Sequence, residues 1–149
     1  MKYKKELSAG GIVFKKAGQE TIWLITQHSQ HKGWGFPKGI IGDTEKGEKV
    51  EDAALREVQE EGGIKAKIVN DVSVAVQYKY RFQDFLVDKT VQYYLMEYIS
   101  GNPADHDWEV SEARFVPEDE VIATLTFKTD KEAFEKILKK VEKVNKVER

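Results

Sequence analysis

From Val72 to Phe82 the chain alternates. Val72, Val74, Val76, Tyr78, Tyr80 and Phe82 fall on one side of an extended backbone, and Ser73, Ala75, Gln77, Lys79 and Arg81 on the other. A period of two predicts a strand. The polar run Gln83 to Lys89 predicts a turn into a second strand, Thr90 to Ile99, with bulky residues on both faces. Upstream, residues 3–14 predict a strand broken by Gly10-Gly11, a pair that marks either a bulge or a close approach to the backbone. Ala17 to Glu20 predicts a hairpin turn into residues 21–26, apolar on both faces and so expected to be covered on both. Residues 27–39 read as irregular.

Helical spacing takes over elsewhere. Phe134, Ile137, Leu138, Val141 and Val144 form one stripe along residues 130–147, with lysines on the solvated side. Ser100 to Asp107 reads as a loop and Glu112 to Val116 as a short strand. Pro117 then opens a helix with Glu118, Asp119 and Glu120 in its first turn, where acids suit the positive end of the helix dipole. A further helix runs from Ala53 toward Ile64 and stops at Gly62-Gly63, since glycine adopts the left-handed cap conformation at little cost.

That last helix carries the candidate chemistry. At about 100° per residue, Glu57, Glu60 and Glu61 share one arc, and Val50, Ala53, Ala54 and Val58 lie in or beside it. Carboxylates crowded beside an apolar face repel one another and are costly to desolvate. A hard divalent cation such as Mg²⁺ would balance them; a Glu-rich solvated face is the plainer alternative. Nearby, His28 and His31 read as surface residues, phosphate ligands or an acid–base pair, and Lys38 as a point charge for a polyphosphate.

Composition narrows the classes. A chain of 149 residues fits one domain, 1–149, with a sizeable core. A formal net charge of −2, with charges spread along the chain, argues against general nucleic-acid or membrane binding. There is no cysteine, which removes disulfides and thiol nucleophiles and fits a cytoplasmic location. Neither a long apolar run nor an N-terminal signal pattern is present.

The segment Arg56-Glu57-Val58-Gln59-Glu60-Glu61-Gly62-Gly63-Ile64, with Glu48 upstream, resembles the box G-x5-E-x7-R-E-U-x-E-E-x-G-U of the Nudix hydrolases. Here it spans about residues 39–64. The resemblance implies an α/β (α+β) fold, the Nudix-type α/β/α sandwich with a mixed sheet, over nearly the whole chain. It implies metal ligands at Glu57, Glu60 and Glu61, a structural pairing of Glu48 with Arg56, and a general base among Glu57, Glu60 and the distal Glu109. Mg²⁺ is the expected metal, with Mn²⁺ substituting. The family's first glycine also ligates through its carbonyl. Gly42 satisfies the spacing to Glu48, but Phe36-Pro37-Lys38-Gly39 matches the run that supplies it, so Gly39 is favoured, with a three-residue insertion within Ile40 to Gly47.

Within the family, S-A-G-G-I-V, W-G-F-P-K-G, V-Q-Y-Y-L and W-E-V resemble the asymmetrical diadenosine tetraphosphate hydrolases. That implies substrate contacts at Lys38 and Tyr94, with Gly11 close to the nucleotide. The expected reaction is Mg²⁺-dependent hydrolysis of diadenosine tetraphosphate to ATP and AMP by a monomer or homodimer. Other substrates are oxidised nucleoside triphosphates, RNA 5′ ends and diphosphoinositol polyphosphates. A nucleotide sensor without catalysis is the alternative of another class.

Overall fold

A computed structural model describes residues 1–42 and 46–147, with side chains through Lys143. Seven strands among these residues make one mixed sheet: β1 (Lys2–Ala17), β2 (Glu20–His28), β3 (Trp34–Gly35), β4 (Lys38–Ile40), β5 (Ile64–Phe82), β6 (Phe85–Gly101) and β7 (Val110–Pro117). The path runs β3-β2-β1-β6-β5, with β4 also on β1 and β7 also on β2. Only the central β1–β6 pairing is parallel, from Lys2↔Phe85 to Phe14↔Glu97. The helices are α1 (Val50–Gly62), α2 (Glu118–Thr124) and α3 (Lys128–Val147), and one 3-10 turn spans Pro103–Asp105.

Two hydrophobic layers cover the sheet, giving the expected α/β/α sandwich. On one face Ala9, Val13, Leu24 and Met96 meet Ala53, Ala54 and Val58 of α1. On the other, Ile12, Trp23, Ile25, Phe36 and Tyr93 meet Phe134 and Ile137 of α3. Strand β2 accordingly sends Leu24 to one layer and Trp23 and Ile25 to the other, which is why both of its faces are apolar. No described helix is long and apolar enough to cross a membrane.

Several boundaries differ from the sequence reading. Helix α1 begins at Val50, a turn earlier, and ends as expected with Gly63 at φ 72°. Strand β5 begins at Ile64, not Val72. Asn70 and Asp71 take positive φ and shift the register between Ile68 and Ser73, which hides the first half from any simple alternation. The turn into β6 is only Gln83-Asp84, with Gln83 at φ 54°, so residues 85–89 belong to the strand. Strand β1 is continuous through Gly10-Gly11, and β3 and β4 lie inside the stretch read as irregular. Residues 43–45, within the stretch of the expected insertion, and the side chain of Val144 fall outside the described residues.

Candidate active site

The box helix packs tightly onto β4. Glu57 is only 3% exposed, and a methyl group on Gly39 would fall on its carboxylate. Bare backbone at Gly39 therefore admits the acid. Gly42 plays a different part: its N–H donates to Glu48 Oε1 at 3.0 Å, and its φ is 81°. The same Glu48 carboxylate accepts Arg56 Nε at 3.0 Å on Oε2 and Nη2 at 2.6 Å on Oε1. Those bonds hold the Glu48 carboxyl below the usual range and raise the Arg56 guanidinium. The loop is thereby pinned to the helix.

Arg56 does more. Its Nη1 donates to Glu57 Oε1 at 2.9 Å and to Glu60 Oε2 at 3.0 Å, so one guanidinium serves three carboxylates. Glu61 points elsewhere and accepts the backbone N–H of Lys38. Burial pushes the Glu61 carboxyl up to about 8; the charges of Glu57 and Glu109 add to this, and Lys38 opposes it. Among the described residues no three acidic or histidine side chains enclose an ion as they stand. The donor set still suits a hard cation. Carboxylates of one helix stand beside bare backbone at Gly39, and Glu61 is pushed up first by burial and then by the charges of Glu57 and Glu109, a state that a divalent cation would relieve.

Lys38 lies on the α3 face of the sheet, paired with Gly10 across β1 and β4. It lines a small cavity of about 40 Å³ with Glu61, Asp130, His28 and His31. Glycine at 35 opens this space: a Cβ there would lie 3.0 Å from Asp130 Oδ2 and 4.0 Å from Lys38 Nζ. The imidazoles of His28 and His31 stack at 4.0 Å, their Nδ1 atoms accepting Gln30 N–H at 3.1 Å and Gly33 N–H at 2.9 Å. Burial and the neighbouring positive groups lower both rings' pKa.

Two expected substrate contacts lie apart from this cluster. Gly11 is buried in the core, where a Cβ would meet Val58 and Met96; its lack of a side chain serves helix–sheet packing. The glycine beside Lys38 is Gly10. Tyr94 lies on the α1 face, its hydroxyl donating to Glu51 at 3.1 Å, away from the cavity that Lys38 lines.

Lys89 was not anticipated. It shares the inward face of β6 with Val87, Val91 and Tyr93 and is paired to Glu6 at 3.4 Å. Tyr80 donates to the same Glu6 at 3.0 Å. Burial lowers the Lys89 pKa and nearby Lys38 adds to this, while Glu6 and Glu61 oppose it. Its signal in the sequence is a lone lysine in phase with apolar strand positions, visible only once β6 starts at Phe85. Asp130, only 4% exposed and accepting Tyr93 Oη at 2.8 Å, is the second such residue.

A family model described as "NUDIX domain" matches residues 4–139. The chain belongs to the NUDIX family. It is 32% identical over 133 residues to the Mycobacterium tuberculosis protein named MutT4, covering 85% of this chain and 52% of that one. It is 29% identical over 121 residues to Nudix hydrolase 6 of Arabidopsis thaliana, covering 78% of this chain and 40% of that one. The chain thus spans about half, or less, of these relatives. Among solved structures, an Ap4A hydrolase binary complex from C. elegans superposes with TM-score 0.78 at 20% identity, over 92% of this NUDIX chain and 98% of that one. The NUDIX domain of Shewanella oneidensis NrtR, solved with ADP ribose, gives TM-score 0.65 at 20% identity over 94% and 88%. At such identities these likenesses bear on the fold.

Proposed function

We propose that this chain is a Mg²⁺-dependent pyrophosphohydrolase of nucleoside diphosphate-linked substrates, with diadenosine tetraphosphate, cleaved to ATP and AMP, as its preferred one. The observation that carries the reading is the seating of Glu57 against Gly39, next to the Lys38–Glu61 contact. It sets the box acids beside Lys38, whose ammonium suits a polyphosphate. Glu57, Glu60, Glu61 and the Gly39 carbonyl would hold the Mg²⁺, with Mn²⁺ able to substitute. The cation would neutralise pyrophosphate oxygens and make an attacking water more acidic.

The chain's own residues supply the rest. Lys38 and Lys89, on one face of the sheet, receive the polyphosphate charge. Arg56 and Glu48 fix Gly42, just beyond the strand that presents Gly39. One of Glu57, Glu60 and Glu109 takes the proton from the attacking water. Glu109 is a candidate because its charge is felt at Glu61.

Incubation with Mg²⁺ and diadenosine tetraphosphate, followed by ion-exchange chromatography, tests this directly. Equal amounts of ATP and AMP, abolished by chelator, are expected. Turnover confined to other nucleotides, ADP ribose among them, would discard the substrate and keep the chemistry. Nucleotide binding without turnover would make the protein a sensor.

A further inference from the structure

The loop between β6 and β7 carries Trp108, whose side chain is not packed into the fold: it is 77% exposed, the most open large hydrophobic side chain among the described residues. Single exposed apolar side chains are ordinary on protein surfaces. Trp108 differs in how firmly its backbone is held. Asp107 N–H donates to the Glu60 carbonyl on α1 at 2.8 Å. Glu109 N–H donates to Asp107 Oδ1 at 3.1 Å, and the Glu109 carbonyl accepts Ser29 N–H at 2.9 Å. Both neighbours of the tryptophan are thus tied to elements that carry the site, one to the box helix and one to the loop that follows β2.

The charge of Glu109 reaches Glu61, and Val110 lines the cavity that holds Lys38. Trp108 therefore sits on a fixed backbone between Asp107, bonded to the Glu60 carbonyl of α1, and Val110, which lines the cavity with Lys38, and its side chain is open to solvent. Polyphosphate charge is accounted for by Lys38 and Lys89, but none of the residues assigned so far meets a base. Other aromatics near the two lysines are already engaged: Tyr78, opposite Lys89, packs on Tyr80 with centroids 6.1 Å apart, the Tyr80 hydroxyl is held by Glu6, and Phe127, which lines the cavity, packs edge-on against His31.

We propose that Trp108 is the stacking platform for a nucleobase of the substrate. The inference rests on the nucleotide-hydrolase reading and adds to it a residue that discriminates nucleotides from bare polyphosphates. A rigid aromatic on an ordered loop gives stacking area with little side-chain entropy to lose, and it tolerates any base because every base has a π-face.

The test compares wild type, Trp108→Ala and Trp108→Tyr with Mg²⁺, measuring KM for diadenosine tetraphosphate and the inhibition constant of inorganic tripolyphosphate. Trp108→Ala should raise KM about 10-fold or more while tripolyphosphate inhibition stays within about two-fold, and Trp108→Tyr should recover most of the loss. An unchanged KM in Trp108→Ala would overturn the assignment. So would a parallel rise in both constants, which would mean a displaced loop. If wild type cleaves no nucleotide, the functional reading falls by itself. Tryptophan emission titrated with AMP and with inorganic phosphate then decides: quenching by AMP alone, lost in Trp108→Ala, keeps the platform, and no quenching overturns it.

Discussion

Arg56 and Glu48 form a two-pronged pair, 2.6 Å and 3.0 Å, and the same Glu48 carboxylate anchors Gly42. The Glu48 side chain is 4% exposed and that of Arg56 16%. Partial burial and fork geometry make this more than a surface ion pair. Its effect is to hold Gly42, two residues beyond β4, against α1.

Arg56→Lys keeps the charge but cannot span Glu48, Glu57 and Glu60 together. Activity should fall about 100-fold, with a stability loss of about 2–3 kcal/mol. Thermal unfolding beside steady-state kinetics checks this. A Lys variant of near wild-type activity would show that the fork does not position the loop.

Gly39 and Gly42 separate in the same way. Gly39→Ala drives a methyl onto the Glu57 carboxylate and should abolish turnover and weaken Mg²⁺ binding. Gly42→Ala strains a φ of 81°, costing about 1–2 kcal/mol, and should leave Mg²⁺ affinity near wild type. Calorimetric titration of Mg²⁺ into both variants tells which glycine serves the cation.

Glu61 gives the protein a pH dependence. Its folded pKa of about 8 lies above the ordinary 4.5, so between those values the folded chain keeps a proton that the unfolded chain has lost. Stability of the metal-free protein should be highest at the acid end of that window and decline as pH rises through it. Mg²⁺ binding should strengthen over the same range with release of a proton. Glu61→Gln should flatten both slopes and lower the rate by orders of magnitude, about 100-fold or more, with the fold intact. Melting curves from pH 5 to 9, with and without Mg²⁺, read out the first two effects.

Lys89→Met removes the ammonium and keeps most of the buried stem. The Glu6 carboxylate retains Tyr80 as a donor, so the fold should survive. The KM for a polyphosphate substrate should rise about 10- to 100-fold, the loss of a charge-assisted contact. A KM unmoved by this change would confine Lys89 to its pairing with Glu6.

The sequence by itself determined the parts that repeat locally or rest on a fixed spacing. The Gly62-Gly63 stop, the stripe from Phe134 to Val141, the alternation from Val72 and the acids sharing one arc of α1 are all properties of a few consecutive turns or strand steps. The pairing of Glu48 with Arg56 was legible too, as part of the Nudix resemblance. The tertiary structure decided everything that depends on which strand lies beside which. The bulge at Asn70-Asp71 joins residues 64–69 to the hairpin, and the tight turn at Gln83-Asp84 brings Lys89 into phase with the buried face of β6. Likewise the parallel pairing Gly10↔Tyr93 and Gly11↔Tyr94 sends neighbouring residues to opposite layers. Gly10 therefore meets Lys38, whereas Gly11 packs under α1 and Tyr94 reaches Glu51. Periodicity fixes that neighbouring strand residues face opposite ways. Only register and the covering helices fix which way is the site.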